Sequence, residues 1–178
     1  MKYLLSLIII LCRCLPAYTQ DEVKYSQKDS IVATELLKSC MTECKTKDNC
    51  LMYFARKLKS VPYVARTLEG GECERLVVNL RQLDCTAYVE NVIALYLCIK
   101  NEKTTFRDFC NYLRNIRYDN GIVTYPTRLH YFSYWIEQNT LTGIVREIVP
   151  QDSSVTEDSE YDIYYMSSNP EKYPALRK

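Results

Sequence analysis

Glycine and proline are scarce, four and six residues in a chain of 178, which excludes collagen-like and low-complexity architectures. Histidine and tryptophan each occur once, so a metal centre built from several imidazoles is out of reach. Neither charge sign is in excess. With 23 basic and 22 acidic residues and a net charge of +1, no strongly basic face is available to hold a phosphate backbone, and nucleic-acid binding is not expected. After the first twenty residues there is no apolar run long enough to span a bilayer, and there is no internal repeat. What remains is 47% hydrophobic and 25% charged, a composition that builds a globular core at a one-domain length. Sixteen tyrosines against four phenylalanines suit either aromatic surfaces for sugars and peptides or a core with satisfied hydroxyls.

Residues 1–19 have the anatomy of an export signal. Lys2 gives a positive start, Leu4 to Cys12 is apolar apart from Ser6, and Ala17 and Thr19 sit three and one before a cut ahead of Gln20. The apolar run is about half the roughly 20 residues a membrane helix needs, so no integral span is expected after signal removal. Leu11 and Arg13 precede Cys12 and Cys14 where a lipoprotein would carry a small residue. The mature chain keeps cysteines 40, 44, 50, 73, 85, 98 and 110. Seven thiols in an oxidising compartment leave at least one unpaired. Cys40, Cys44 and Cys50 are close in sequence but fall short of a four-ligand zinc set, and no metal is expected.

Periodicity predicts an amphipathic helix over Ile31 to Cys44, opened by Asp29 or Ser30, and a short second helix over Leu51 to Leu58. Pro62 ends helical character, and Tyr63 to Leu68 reads as a loop or short strand before the Gly70–Gly71 turn. Asp84 caps a long helix through Ile99, and another runs through Phe106 and Leu113. Residues 116–118 and 122–125, around Asp119-Asn120-Gly121, read as a hairpin. A helix is expected from Arg128 to Gln138 and a strand over 144–149. The polar stretch QDSSVTEDSE is a loop, Tyr161 to Tyr165 alternates as a strand would, and Asn169 could open a final helix. The order is α+β, helices before strands.

Two residues attract attention as chemistry. Cys85 falls in the first turn of the Asp84-capped helix, where orphan N–H groups and the dipole favour a thiolate, the form that attacks carbonyls. A buried packing cysteine is the alternative. His130, 45 residues later in TRLHYFSYWI, is the only imidazole base the chain offers, or else a histidine packed beside aromatics or touching substrate.

The segments VPYVARTLEGGECERLVVNLRQLDCTAYVEN, IRYDNGIVTYPTRLHYFSYWIEQN and YMSSNPEKYPAL, spread over about Leu51 to Leu176, resemble the N-acetylmuramoyl-L-alanine amidase-like family of exported bacterial proteins, in the NlpC-type superfamily of papain-like cysteine hydrolases. The resemblance implies a papain-like α+β fold in which an N-terminal helical part and the Cys85 helix pack on an antiparallel sheet. It assigns Cys85 as nucleophile and places Tyr63 near it. It puts Arg117, Tyr118, Arg128, Tyr131 and Trp135, with His130, in the substrate groove or its support. The implied activity is cleavage of an amide in or next to the peptidoglycan stem peptide, in the periplasm or cell envelope, with peptidoglycan or muropeptides as partner. No cofactor is required, because the thiolate carries the chemistry.

The chain also departs from that pattern. The family's catalytic histidine is expected in a downstream Asp-x-x-His-x-Gly motif followed by His-Ala-Ser, and neither occurs before Lys178. The expectation is therefore residues 20–178 as the N-terminal two thirds of such a domain, lacking its base. The rivals are an inactive module that keeps the peptidoglycan groove, and a structural protein whose cysteines serve packing and disulfides.

Overall fold

Ser26 opens the first helix through a reciprocal cap: its side chain accepts from the Asp29 backbone N–H, and the Asp29 carboxylate accepts from the Ser26 N–H at 2.9 Å. Capping boxes of this kind satisfy two of a helix's orphan donors. The computed structural model describes residues 23–69, 73–146, 148, 166 and 168–173, and five α-helices lie within them. These are α1 (Gln27–Glu43), α2 (Cys50–Leu58), α3 (Cys85–Lys100), α4 (Phe106–Arg117) and α5 (Phe132–Leu141).

Helix α3 lies between α2 and α4, α1 packs across all three, and α5 rests on α4. Leu37 and Cys40 of α1, Phe54 of α2, Leu95 and Cys98 of α3, and Phe109, Leu113 and Ile116 of α4 form one buried cluster. Each recurs at three- or four-residue spacing on its own helix, the stripe that a core-facing helix requires.

The sheet corrects the sequence expectation. Among the described residues it has two strands, β1 (Val23–Lys24) and β2 (Leu76–Val77), and they run parallel with Val23 opposite Leu76. Parallel neighbours need a crossover, and α1 and α2 lie in it. Among the described residues, antiparallel pairing is limited to an isolated bridge between Tyr118 and Arg128. The expected hairpin loses its first strand because Phe109, Leu113 and Ile116 keep helical spacing, which carries α4 through Arg117. The Asp-Asn-Gly turn survives as a 3₁₀ turn with Asn120 at φ 50° and Gly121 at φ 67°. The positive φ favours glycine at Gly121, while the Asn115 Oδ1 that a Cβ would meet at 2.6 Å is the end of an exposed side chain that can swing away. Helix α5 starts at Phe132, so Arg128, which bridges to Tyr118, and His130, whose N–H donates to the Arg128 carbonyl at 2.8 Å, lie ahead of it. Ile144, Val145, Arg146 and Ile148 form no strand. Asn169 opens only a turn, closed by the Lys172 N–H on its carbonyl at 3.0 Å. The export segment, Gly70, Gly71 and the expected strand at 161–165 lie outside the described residues.

The α1 cap also grips the chain ahead of α3. Asp29, fully enclosed, accepts from the Leu80 N–H at 3.0 Å and from Arg81 Nε at 3.0 Å. Burial pushes its carboxyl up, but Arg81, the Leu80 N–H and Ser26 together outweigh burial and leave it below its ordinary value. Such a group adds stability above its unfolded pKa and loses it as pH falls through the lower folded value. We therefore expect the stability gap between the wild type and Asp29→Asn, measured by urea unfolding, to narrow below about pH 4. A gap that widens on acidification would contradict this account of the cap.

Candidate active site

Leu83 sets the approach to Cys85. It pairs in parallel with Tyr63, donating to the Pro62 carbonyl at 3.1 Å and accepting from the Val64 N–H at 3.2 Å. Asp84 then turns the chain as N-cap, extended at φ −88°, and its carboxylate accepts from the Ala87 N–H at 2.8 Å. Cys85 is thus the first residue of α3. The cap satisfies Ala87 and leaves the N–H groups of Cys85 and Thr86 without an acceptor among the described residues. Such a pair can receive a developing oxyanion.

Cys85 is exposed, which sets aside its alternative as a buried packing residue. Of the seven cysteines from Cys40 to Cys110, only Cys73 shares that exposure. Cys98 and Cys110 are enclosed, and burial pushes both thiols up to about 12. Tyr63 is 70% exposed, and its backbone is bridged to Leu83, two residues before Cys85.

Three of the expected groove residues form an enclosed scaffold. Arg117 donates from Nε to Glu90 Oε2 at 2.8 Å and from Nη1 to the Val77 carbonyl at 2.6 Å, tying α4 to α3 and β2. Burial pushes the Glu90 carboxyl up and the Arg117 guanidinium pulls it part of the way back. Tyr118 donates its hydroxyl to Glu74 Oε1 at 2.7 Å. Burial and that carboxylate raise its pKa. Arg128 reaches Glu69 Oε1 at 2.8 Å and Glu74 Oε1 at 3.4 Å, with its guanidinium 4.9 Å from the Tyr125 ring centroid. It therefore clasps carboxylates on both sides of residues 70–72. With exposures of 2%, 1% and 6%, Arg117, Tyr118 and Arg128 have the place of support and do not face solvent.

His130 is half-buried beside Tyr125, ring centroids 4.4 Å apart, and its Nε2 lies 2.9 Å from the Tyr125 carbonyl oxygen. A carbonyl only accepts, so Nε2 carries the proton and Nδ1 is left as the basic nitrogen. Burial pushes the His130 pKa down, and the Arg128 charge adds to the effect against the pull of Glu69 and Glu74. Among the described residues no hydrogen bond joins His130 to the Cys85 thiol. Tyr131 accepts from the Met166 N–H at 3.4 Å through its hydroxyl. Trp135 is buried and stacked on Phe132 at 5.5 Å, and its indole N–H finds no hydrogen-bond partner among the described residues. Asn139, one turn on, donates to the Ile116 carbonyl at 3.0 Å and seats α5 on α4.

The structure thus pairs Arg117 with Glu90 and groups Tyr118 with Arg128 around Glu74, and it bridges the Tyr63 backbone to Leu83, two residues before Cys85. Sequence reasoning missed all three carboxylates, Glu69, Glu74 and Glu90. Glu90 had a signal: it occupies the buried stripe that runs through Ala87, Asn91, Ala94 and Cys98 of α3, where an unpaired charge would not be tolerated.

Residues 53–178 match the model of a family described as N-acetylmuramoyl-L-alanine amidase-like. A crystal structure of an N-acetylmuramoyl-L-alanine amidase from Bacteroides uniformis is similar at a TM-score of 0.58 and 35% identity, over 73% of this chain and 54% of that one. A proposed xylanase from Bacteroides fragilis is similar at 0.55 and 35%, over 65% and 50%. A Legionella pneumophila protein, 21% identical over 65% of this chain and 38% of its own, shares the fold at 0.56. The chain spans about half the length of the Bacteroides structures. No curated protein matches it.

Proposed function

Because the chain belongs to the N-acetylmuramoyl-L-alanine amidase-like family, we propose that it acts on peptidoglycan as an exported hydrolase, cutting an amide in or next to the stem peptide through Cys85. The observation that carries this reading is the exposed thiol at the first position of α3, two residues after the Leu83–Tyr63 bridge and inside the matched segment. In the proposed reaction Cys85 Sγ attacks the amide carbon, and the N–H groups of Cys85 and Thr86 receive the oxyanion. The leaving amine takes a proton, and water then cleaves the thioester. The arrangement is the one used by papain-like hydrolases of the NlpC type, to which we assign the domain at residues 20–178. The base is either His130 through Nδ1 or an imidazole outside these 178 residues. Residues 1–19 are the proposed export signal and the periplasm or cell envelope the proposed destination. Among the described residues no helix is long and apolar enough to cross a membrane.

A second reading, a peptidoglycan-binding module without turnover, draws support from His130, whose Nε2 is engaged by Tyr125 and which makes no hydrogen bond to Cys85 among the described residues.

Limited iodoacetamide treatment near neutral pH followed by peptide mass spectrometry tests the nucleophile. Cys85 and Cys73 are exposed and should react before the enclosed Cys98 and Cys110, whose thiols burial pushes up. Modification of Cys98 or Cys110 ahead of Cys85 would remove the nucleophile assignment. The same spectra should show the exported protein beginning at or near Gln20, and an exported chain that retains Met1 would remove the signal assignment.

A further inference from the structure

We propose that Cys40, Cys44 and Cys50 form a three-thiolate site for a zinc-like divalent cation, which clasps the end of α1 to the start of α2. Their sulfurs all lie within 4.8 Å of one another, with Cys40 and Cys44 at 3.6 Å. Local structure makes this possible. Helix α1 stops at Glu43, and Cys44, extended at φ −89° and ψ 122°, still donates its N–H to the Cys40 carbonyl at 2.9 Å. The 3₁₀ turn Lys47–Asn49 then reverses the chain, so that Cys50 begins α2 against the same spot. Three sulfurs bound tetrahedrally at about 2.3 Å from zinc are about 3.8 Å apart. The Cys40–Cys44 spacing already fits that edge.

A disulfide fits less well. It needs sulfurs at about 2.05 Å and would use two of the three, stranding a thiol inside the cluster. Cys40 and Cys50 are buried while Cys44 is half-buried, which leaves a solvent-facing fourth position for water. The cluster precedes residue 53, where the family match begins, so it is independent of the function proposed above.

Titration of the reduced full chain with Co²⁺, a spectroscopic probe for tetrahedral zinc sites, tests the proposal. We expect one ion per chain, a sulfur-to-cobalt charge-transfer band, displacement by Zn²⁺, and protection of these three cysteines from alkylation. Cys44→Ser, chosen because Cys44 is the least enclosed of the three, should keep its circular dichroism and lose affinity by roughly 10- to 100-fold or more. Cys73→Ser, outside the cluster, should bind as the wild type does. The proposal is overturned by the absence of a charge-transfer band, by equal affinity in Cys44→Ser, or by a disulfide between any two of the three in protein isolated without reductant.

Discussion

Replacing Cys85 with alanine is expected to abolish muropeptide hydrolysis, a loss on the order of 10⁴- to 10⁶-fold where the nucleophile and base act as a unit. The fold should be unaffected, because an exposed side chain outside any network contributes within about 0.5 kcal/mol. The assay compares this chain, its His130→Ala and Cys85→Ala variants, and a longer form carrying further sequence. Turnover by the 178-residue chain that both substitutions abolish would identify His130 as the base, acting through Nδ1. Turnover only in the longer form, still lost with Cys85→Ala, would place the base outside these residues. Turnover that survives Cys85→Ala would end the cysteine mechanism, and muropeptide binding without turnover in every form would leave the binding module.

Arg117→Met should cost about 3–5 kcal/mol in urea unfolding, because it strands the Glu90 carboxylate without its partner inside the core. The Arg117–Glu90 pair is 2% and 3% exposed at its side chains, so water cannot take over the lost contacts. The Val77 carbonyl would lose its donor as well. The double variant Glu90→Leu, Arg117→Met should recover most of the loss, since replacing a whole buried pair with apolar groups is often neutral. A different result would reassign Arg117. If Arg117→Met unfolds like the wild type while muropeptide affinity falls, the guanidinium touches substrate and does not serve as a strut.

The helices were legible because their signals are local. Asp84 ahead of the Ala87, Val92, Leu95, Ile99 stripe marks both the cap and the face of α3, and the structure has both. The α1 cap, expected at Asp29 or Ser30, lies three or four residues earlier at Ser26, because Asp29 looks like an N-cap and is instead the N3 partner of Ser26. The strands were harder. A short stretch such as Ile116-Arg117-Tyr118, apolar at alternate positions, satisfies a strand pattern and a helix end equally well, and here helical continuation from Phe109 decided it. The parallel pairing of Val23 with Leu76 spans two helices and left no trace in either dipeptide. At the site, the family resemblance pointed to Cys85 and Tyr63, and the structure bridges Tyr63 to Leu83, two residues before Cys85. The resemblance did not reveal that Arg117, Tyr118 and Arg128 turn inward, because their partners Glu90, Glu74 and Glu69 are 27, 44 and 59 positions away.

Asp29 lies outside the segment that matches the family, yet its carboxylate holds Leu80 and Arg81, a few residues before Cys85. The homologous segment is therefore not a self-sufficient module that recombination could move alone. Transplanted without α1, it would leave the Leu80 N–H and the Arg81 guanidinium unanswered and uncover the core face against which Leu37 and Cys40 pack. A lineage that exchanged its N-terminal helix would have to bring a carboxylate back to the same spot, so drift in α1 is constrained by the loop that presents the thiol.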